Sequence, residues 1–351
     1  MPIVQRSKQA AEEVRDAIND PVDAPKILPY EGNFEKMVST GSTALDLAIS
    51  GGRVRGGGIP AGIMIEIYGP SGKGKTAVLA EIAGSIQAKG GDVLFLDPEA
   101  RLDQEYARIY GIALDKTNYA RPDTVTEVFD LIRKWKPKNK DGAVCGILTD
   151  SLAALSTNLE LDKGDTMGMR RAKEFSEGFR KVCRVIKNNN WVIPCSNQVR
   201  QGKYGEVTPG GNAIEFYSSL RIRVSSPKED RYILNKAKLT LGEQSVEVSE
   251  TSGIHSLCRV IKSSVDNPFR EADIYITFNY GIDDVRANLQ YVKDMMKSTR
   301  YDCINKQYQS LDRSVSYIEN EGLELQLKEK VIDIWKQVQQ ALKIERKPKV
   351  R

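Results

Sequence analysis

"IEIYGPSGKGKTAVLAEI", residues 65–82, decides how the rest of the chain is read. Its first four residues, β-branched or aromatic around Glu66, favour a strand. Its last six favour a helix. Between them Gly69, Pro70, Ser71, Gly72, Lys73, Gly74, Lys75 and Thr76 match the pattern G-x-x-x-x-G-K-[ST]. Strand before and helix after is the context in which that pattern binds phosphate. Small residues let backbone N–H groups curl around phosphate oxygens at the positive end of the helix. The motif therefore predicts a nucleotide site in which Lys75 reaches the β- and γ-phosphates and Thr76 binds Mg²⁺. Lys73 lies in the variable part of the motif, and its charge reads as facing solvent.

Working outward, residues 61–224 alternate short β-rich runs with helical periodicity, the signature of a parallel sheet covered by helices. The strand candidates are "IMIEIYG", "DVLFLD", "CGILTD", "WVIPCSN" and "LRIRV". "TAVLAEIAGSIQAKGG" and "TVTEVFDLIRKWK" read as helices. From Gly168 onward, Met169, Ala172, Phe175, Phe179, Val182 and Ile186 recur at spacings of three and four, which predicts an amphipathic helix. A β-rich stretch follows over about 232–279, and then "DDVRANLQYVKDMM" and "ELQLKEKVIDIWKQVQQAL" read as helices. In the latter Leu323, Leu327, Val331, Ile334, Val338 and Leu342 fall in register. The expected organisation is an N-terminal helical arm and linker over 1–35, an α/β core with a mostly parallel sheet over 36–283, and a small C-terminal helical domain with a basic tail over 284–351.

Three further residues stand where the phosphate loop needs company. Asp150 ends "CGILTD", the place for a second Mg²⁺-organising carboxylate on a neighbouring strand; capping the next helix is its alternative. Glu99, after "VLFLD", could polarise an attacking water or be an ordinary loop carboxylate. Gln198 ends the fourth strand and carries an amide able to sense a γ-phosphate. It opens "VRQGKYGEVTPGGNA", a basic, glycine-containing loop whose make-up suggests contact with a partner.

Bulk properties narrow the classes. The 351 residues carry a net charge of +5, compatible with a polyanion partner without demanding one. No apolar stretch approaches the ~20 residues that span a bilayer, and the first residues lack the apolar core of a signal peptide, so a cytoplasmic protein with no membrane partner is expected. The five cysteines are scattered, with no close pair of the kind that holds zinc. His255 is the single histidine, which excludes a histidine-rich metal site, and it reads as an ordinary strand residue.

The order of these motifs resembles the RecA family of DNA recombinases over roughly residues 37–282. "VSTGSTALDLAI" is similar to the family's entry segment, "FLDPEARLDQEYARIYGI" to its catalytic-glutamate stretch, and "TDSLAAL" to its Mg²⁺ strand. "NQVR" followed by "GGNAIEFYSSLRIRV" is similar to its switch residue and second DNA loop, and "VIKSSVDNPFREADIYITFNYGI" to its closing strands. The resemblance implies a P-loop ATPase core using ATP and Mg²⁺, with Glu99 as the water-activating base. It implies that Asp103 and Tyr106 meet adenine, that Gln198 couples the γ-phosphate to DNA, and that Lys262 reaches ATP held by an adjacent subunit. Residues 158–169 become the first DNA loop, with Met167 as a possible wedge and Gly168, Met169, Arg170 and Arg171 beside it. Residues 199–209 become the second, with a flexible surface hairpin as the alternative. There Arg200 and Lys203 can meet phosphates, and Tyr204 offers a face for a base. Gly210, Gly211 and Asn212 close the loop. Ile27 and Phe216 are implied subunit contacts, with a plain core role as the alternative for Phe216.

The sequence also departs from the family's pattern. The second loop is short, Ala172 stands where an arginine is common, and Ser264 replaces a second lysine facing the neighbour's ATP. The tail is basic where the best-known bacterial members carry an acidic one. The expected function is an ATP-dependent recombinase that forms helical filaments on single-stranded DNA and pairs it with a homologous duplex, with single-stranded-DNA-binding protein and loading mediators as further partners. The rivals are an ATP-binding DNA filament or mediator without strand exchange, and a ring-forming helicase motor on the same fold.

Overall fold

A computed structural model describes residues 32–115, 118–138, 142–157, 168–202, 205–229, 231–241, 244–344 and 346. The strands are β1 (Asn33–Val38), β2 (Ile59–Ala61), β3 (Met64–Gly69), β4 (Val93–Leu96), β5 (Tyr119–Ala120), β6 (Gly146–Thr149), β7 (Ile193–Gln198), β8 (Arg200–Gly202) and β9 (Gly205–Val207). They continue with β10 (Leu220–Ser225), β11 (Tyr232–Leu241), β12 (Gln244–Ser263), β13 (Glu271–Thr277), β14 (Gly281–Ile282), β15 (Tyr301–Asp302) and β16 (Gln307–Tyr308). The helices are α1 (Thr43–Ser50), α2 (Lys75–Ala88), α3 (Gln104–Ile109), α4 (Val125–Lys134), α5 (Gly168–Asn188), α6 (Asn212–Tyr217), α7 (Asp284–Met295), α8 (Leu311–Glu321) and α9 (Glu324–Ala341).

One ten-stranded sheet runs β14-β13-β12-β10-β3-β7-β6-β4-β5, with β11 paired to β12 beside that path. From β10 to β5 every pairing is parallel, and β12, β13, β14 and β11 extend it antiparallel. The expected parallel half is therefore present, built from the five runs read as strands together with the short β5. Strands β3, β4 and β6 are buried along their whole length. A parallel sheet covered on both faces requires this, and it explains why those strands are continuous apolar runs rather than alternating ones.

Two apolar layers flank the sheet. On one side α2 packs Val78, Leu79, Ile82 and Ile86 against Ile65, Ile67, Phe95 and Leu148. On the other, the stripe of α5 lies down as its spacing predicts, with Phe175, Phe179, Val182 and Ile186 all buried. Phe179 meets Phe129 of α4 edge-on at 4.9 Å, a preferred aromatic geometry. Helix α4 begins at Thr124, whose hydroxyl accepts the Glu127 N–H at 3.3 Å, the N-cap that stops the helix from extending backward.

The C-terminal helices build a third cluster, in which Val285, Leu289, Ile318, Leu327, Val331 and Ile332 pack with Leu47 of α1. The stripe expected along α9 is buried through Val331, half-buried at Ile334 and Val338, and lost only at Leu342. Leu342 is 70% exposed, and Ile332, one position off the expected register, is buried instead. Ile334 and Trp335 still pack against the cluster, and Leu342, at the C-cap, does not. His255 sits in β12 as read, with Nε2 2.8 Å from Asp273 Oδ1 and its ring stacked on Tyr275 at 4.3 Å.

Candidate nucleotide site and its adjoining loop

The phosphate loop leaves β3 at Gly69 and enters α2 at Lys75, with Gly74 as N-cap in the left-handed region at φ 86°. Two of its glycines are required by sterics. A Cβ on Gly69 would stand 2.0 Å from the Val224 carbonyl oxygen, and one on Gly74 would stand 2.1 Å from Ile276 Cδ1. Beside the loop opens a cleft of about 610 Å³, bordered by Glu99, Tyr106, Asp150 and Gln198 and by Ile254 and Asn279 from the antiparallel half of the sheet. That volume lies in the range of small-molecule sites.

Parallel pairing brings the separated motifs together. In register, Gly69 faces Gln198 on β7, and the Asp150 N–H donates to the Leu96 carbonyl at 2.9 Å. Thr76 Oγ1 donates to Asp150 Oδ2 at 2.6 Å, and the Ser196 hydroxyl donates to Asp150 Oδ1. Burial pushes the Asp150 carboxyl above its ordinary value, against those two hydroxyl donors. A buried carboxylate beside a hydroxyl is an oxygen-only donor pair. It fits Mg²⁺, which takes one or two protein ligands and completes its shell with phosphate and water. Among the described residues no cluster of three or more His, Cys, Asp or Glu offers an all-protein cage.

Lys75 Nζ donates to the Pro70 carbonyl at 2.8 Å, closing the loop on itself. Burial lowers its pKa, while Asp150 and Glu99 act in the opposite sense. Glu99 is held on three sides: Ser151 Oγ donates to Oε1 at 2.7 Å, Gln198 Nε2 donates to the same oxygen at 3.3 Å, and Arg101 Nε lies 2.7 Å from Oε2. A carboxylate held this way can orient a water, and one of its partners is the first residue of the adjoining loop's hinge.

Other sequence-nominated residues fall less centrally. Tyr106 lines the cleft, its hydroxyl 3.2 Å from that of Tyr110. Asp103 caps α3, accepting the Tyr106 N–H at 2.6 Å, and does not border the cleft. Ser71, Gly72 and Lys73 border it. Lys262 stands elsewhere, Nζ donating to the Glu215 and Phe216 carbonyls at 2.6 and 3.2 Å. Phe216 beside it is 75% exposed, which removes the core alternative.

The loop after Gln198 contains a small hairpin, β8 and β9, pairing Arg200 with Val207. Gly210 is buried, and a Cβ there would meet Ile214 Cδ1 at 2.3 Å; Gly211 is the N-cap of α6 at φ 63°, and Asn212 is exposed. Arg170 is exposed on the first turn of α5, with Arg171 half-buried beside it. Gly168 and Met169 belong to that turn. Ile27, Met167, Lys203 and Tyr204 lie outside the described residues.

Sequence reading missed Ser151, Ser196 and Arg101 around the carboxylates, although each lies within two residues of a nominated residue or its strand end. It also missed a buried network on the opposite face. Arg221 Nε donates to Glu66 Oε2 at 2.6 Å, and its Nη1 lies 3.1 Å from Glu215 Oε2. Asn197 Nδ2 donates to Glu66 Oε1 at 2.9 Å and to the Pro209 carbonyl at 3.0 Å, while Asn197 Oδ1 accepts the Gln198 N–H at 3.0 Å.

A parallel-stranded sheet whose phosphate loop opens a helix beside a strand-end aspartate defines the class of P-loop NTPase folds. Within that class the RecA N-terminal domain family matches residues 31–283, and the chain belongs to the RecA family. It is 34% identical over 265 residues to Protein RecA of Ruminococcus albus, a match covering 74% of this chain and 61% of that one. It therefore spans less than two thirds of that relative's length. It is 32% identical over 319 residues to Protein RecA of Delftia acidovorans, covering 85% and 78%. With Protein RecA of Thermus thermophilus it shares 34% identity over 256 residues, covering 71% and 69%.

Proposed function

We propose that the protein is a DNA-dependent ATPase that assembles into helical filaments on single-stranded DNA and pairs that strand with a homologous duplex. The observation that carries this reading is the hydrogen bond from Gln198 to Glu99. It joins the carboxylate read as activating water to the hinge of a basic loop, which supports a reading in which the state of the nucleotide and the position of the loop move together. In this reading Lys75 and the loop N–H groups hold the β- and γ-phosphates, and Tyr106 packs on the base with Asp103 nearby. Thr76 and Asp150 hold Mg²⁺, which when bound neutralises phosphate charge. Glu99 takes up a proton from the attacking water, and Gln198 moves with the γ-phosphate.

The loop supplies Arg200, Lys203 and Tyr204 to DNA and is closed by Gly210, Gly211 and Asn212. The turn bearing Met167, Gly168, Met169, Arg170 and Arg171 supplies a second contact. Ile27, Phe216 and Lys262 meet the neighbouring subunit, and such head-to-tail contacts build a filament because they do not close. The three-part organisation with boundaries after residues 35 and 283, and a cytoplasmic location, belong to the same proposal. Single-stranded-DNA-binding protein and loading mediators would be its further partners.

Lys75→Ala tests the nucleotide half. It should abolish ATP-supported filaments in electron micrographs and, with them, strand exchange. Normal strand exchange by this variant would refute the mechanism.

A further inference from the structure

The hairpin after Gln198 carries a carboxylate where a polyanion is expected to pass. Glu206 on β9 meets Arg223 on β10 through a fork: Arg223 Nε donates to Oε2 at 3.0 Å and Nη2 donates to Oε1 at 2.9 Å. Two parallel N–H donors at this spacing are also the geometry with which arginine holds a phosphate. The pair is partly open to solvent, Arg223 at 30% and Glu206 at 34%, so another anion can reach the guanidinium.

Arg223 has a second cation beside it. It stands opposite Arg259 of β12 in the antiparallel ladder, and residues directly opposite share a face of the sheet. Arg259 in turn lies 3.2 Å from Glu271. Two guanidiniums on neighbouring strands are thus each answered by one carboxylate, and one of those carboxylates belongs to the hairpin. The next residue of that hairpin, Val207, is exposed, and the fork is a charged link between the hairpin and the sheet.

We propose that Glu206 and Arg223 form a latch: in the DNA-free chain the fork holds the hairpin to β10 and engages the Arg223 guanidinium, and a phosphate of single-stranded DNA displaces Glu206 to occupy the same guanidinium. The proposal rests on reading the hairpin as a DNA-binding loop and adds to it a phosphate-binding residue and an internal competitor. Partly exposed ion pairs are weak, so exchanging a carboxylate for a phosphate on one arginine is feasible and releases the hairpin to move. Glu206 would lower affinity both by occupying Arg223 and by repelling phosphates from the loop.

The test is equilibrium binding of a fluorescent oligothymidylate to the full chain with Mg²⁺ and a non-hydrolysable ATP analogue, across a salt series. Glu206→Gln should bind about three- to ten-fold more tightly than wild type at one salt concentration, having lost the competitor and its repulsion. Arg223→Gln should bind more weakly than wild type, with a log–log salt slope shallower by about one phosphate contact. Equal or weaker binding by Glu206→Gln overturns the latch. So does Arg223→Gln binding as tightly as Glu206→Gln with an unchanged slope, since Arg223 would then anchor the hairpin without touching DNA. Glu206 is on a surface hairpin, so its variant keeps the test decisive even if Arg223→Gln folds poorly. Failure of wild type and every variant to bind at low salt would instead remove the DNA reading on which the latch rests.

Discussion

Glu99 is held by Ser151, Gln198 and Arg101 at 2.7, 3.3 and 2.7 Å, so its carboxylate is oriented before any substrate arrives. If it takes up the proton of the attacking water, Glu99→Gln should reduce ATP turnover by about 10²- to 10⁴-fold while nucleotide affinity changes little. Single-turnover hydrolysis beside fluorescent-nucleotide titration separates the two; a variant with near-normal turnover would remove Glu99 from the chemistry. At this scale the sequence was informative where a motif dictates a backbone. The motif at Gly69 through Thr76 implied a loop into a helix, and the structure shows why glycine stands at two of its positions: a Cβ at Gly69 would collide with the Val224 carbonyl, and Gly74 sits at φ 86°. It was silent about Ser151 and Ser196, since a serine beside an aspartate has no periodicity to betray it. It also left Phe216 open between core and surface, because a six-residue helix such as α6 is too short to display a face.

Strands β3, β7 and β10 carry the link between the cleft, the hairpin and α6. Asn197 binds the Pro209 carbonyl at the end of the loop and Glu66 beneath it, and Arg221 joins Glu66 to Glu215, next to exposed Phe216. Glu66 and Arg221 are both buried, so breaking the pair leaves a charge without its partner. Arg221→Met should destabilise the chain by about 3–5 kcal/mol, and adding Glu66→Leu should recover much of that loss. Denaturant midpoints read both, and a midpoint unmoved by Arg221→Met would contradict the network. These strands were legible as apolar runs, but their order was not: the strand ending at Asp150 was expected beside the phosphate loop, and β7 lies between β3 and β6. The ion pair was not legible either, because its partners lie 155 residues apart and meet only through the β3–β10 register. The C-terminal stripe was legible through Val338 and misleading at Leu342, which lies beyond the last helical residue, since periodicity reports a face but not where the helix stops.

At the scale of the whole molecule, the parallel half of the sheet places the cleft at the ends of β3, β6 and β7, and the antiparallel half supplies its far wall. Phe216 stands on the surface with Lys262 fixed to the adjacent carbonyls. Phe216→Ala should therefore leave the unfolding midpoint within about 0.5 kcal/mol of wild type while shortening filaments in electron micrographs; loss of stability with filaments intact would make it a packing residue. Sequence order gave this molecule's layering, because alternating strands and helices permit few arrangements. A surface hairpin was among the readings of the loop, and β8–β9 forms one, but the Glu206–Arg223 fork was not foreseen, because it depends on where the loop settles. In the proposed mechanism the nucleotide cleft and the basic loop are coupled. ATP turnover with and without single-stranded DNA, across a salt series, tests it most directly. Coupling predicts a large stimulation that fades steeply as salt rises, because phosphate contacts are lost to counterions. Turnover indifferent to DNA at low salt would leave the phosphate loop standing and contradict the coupling.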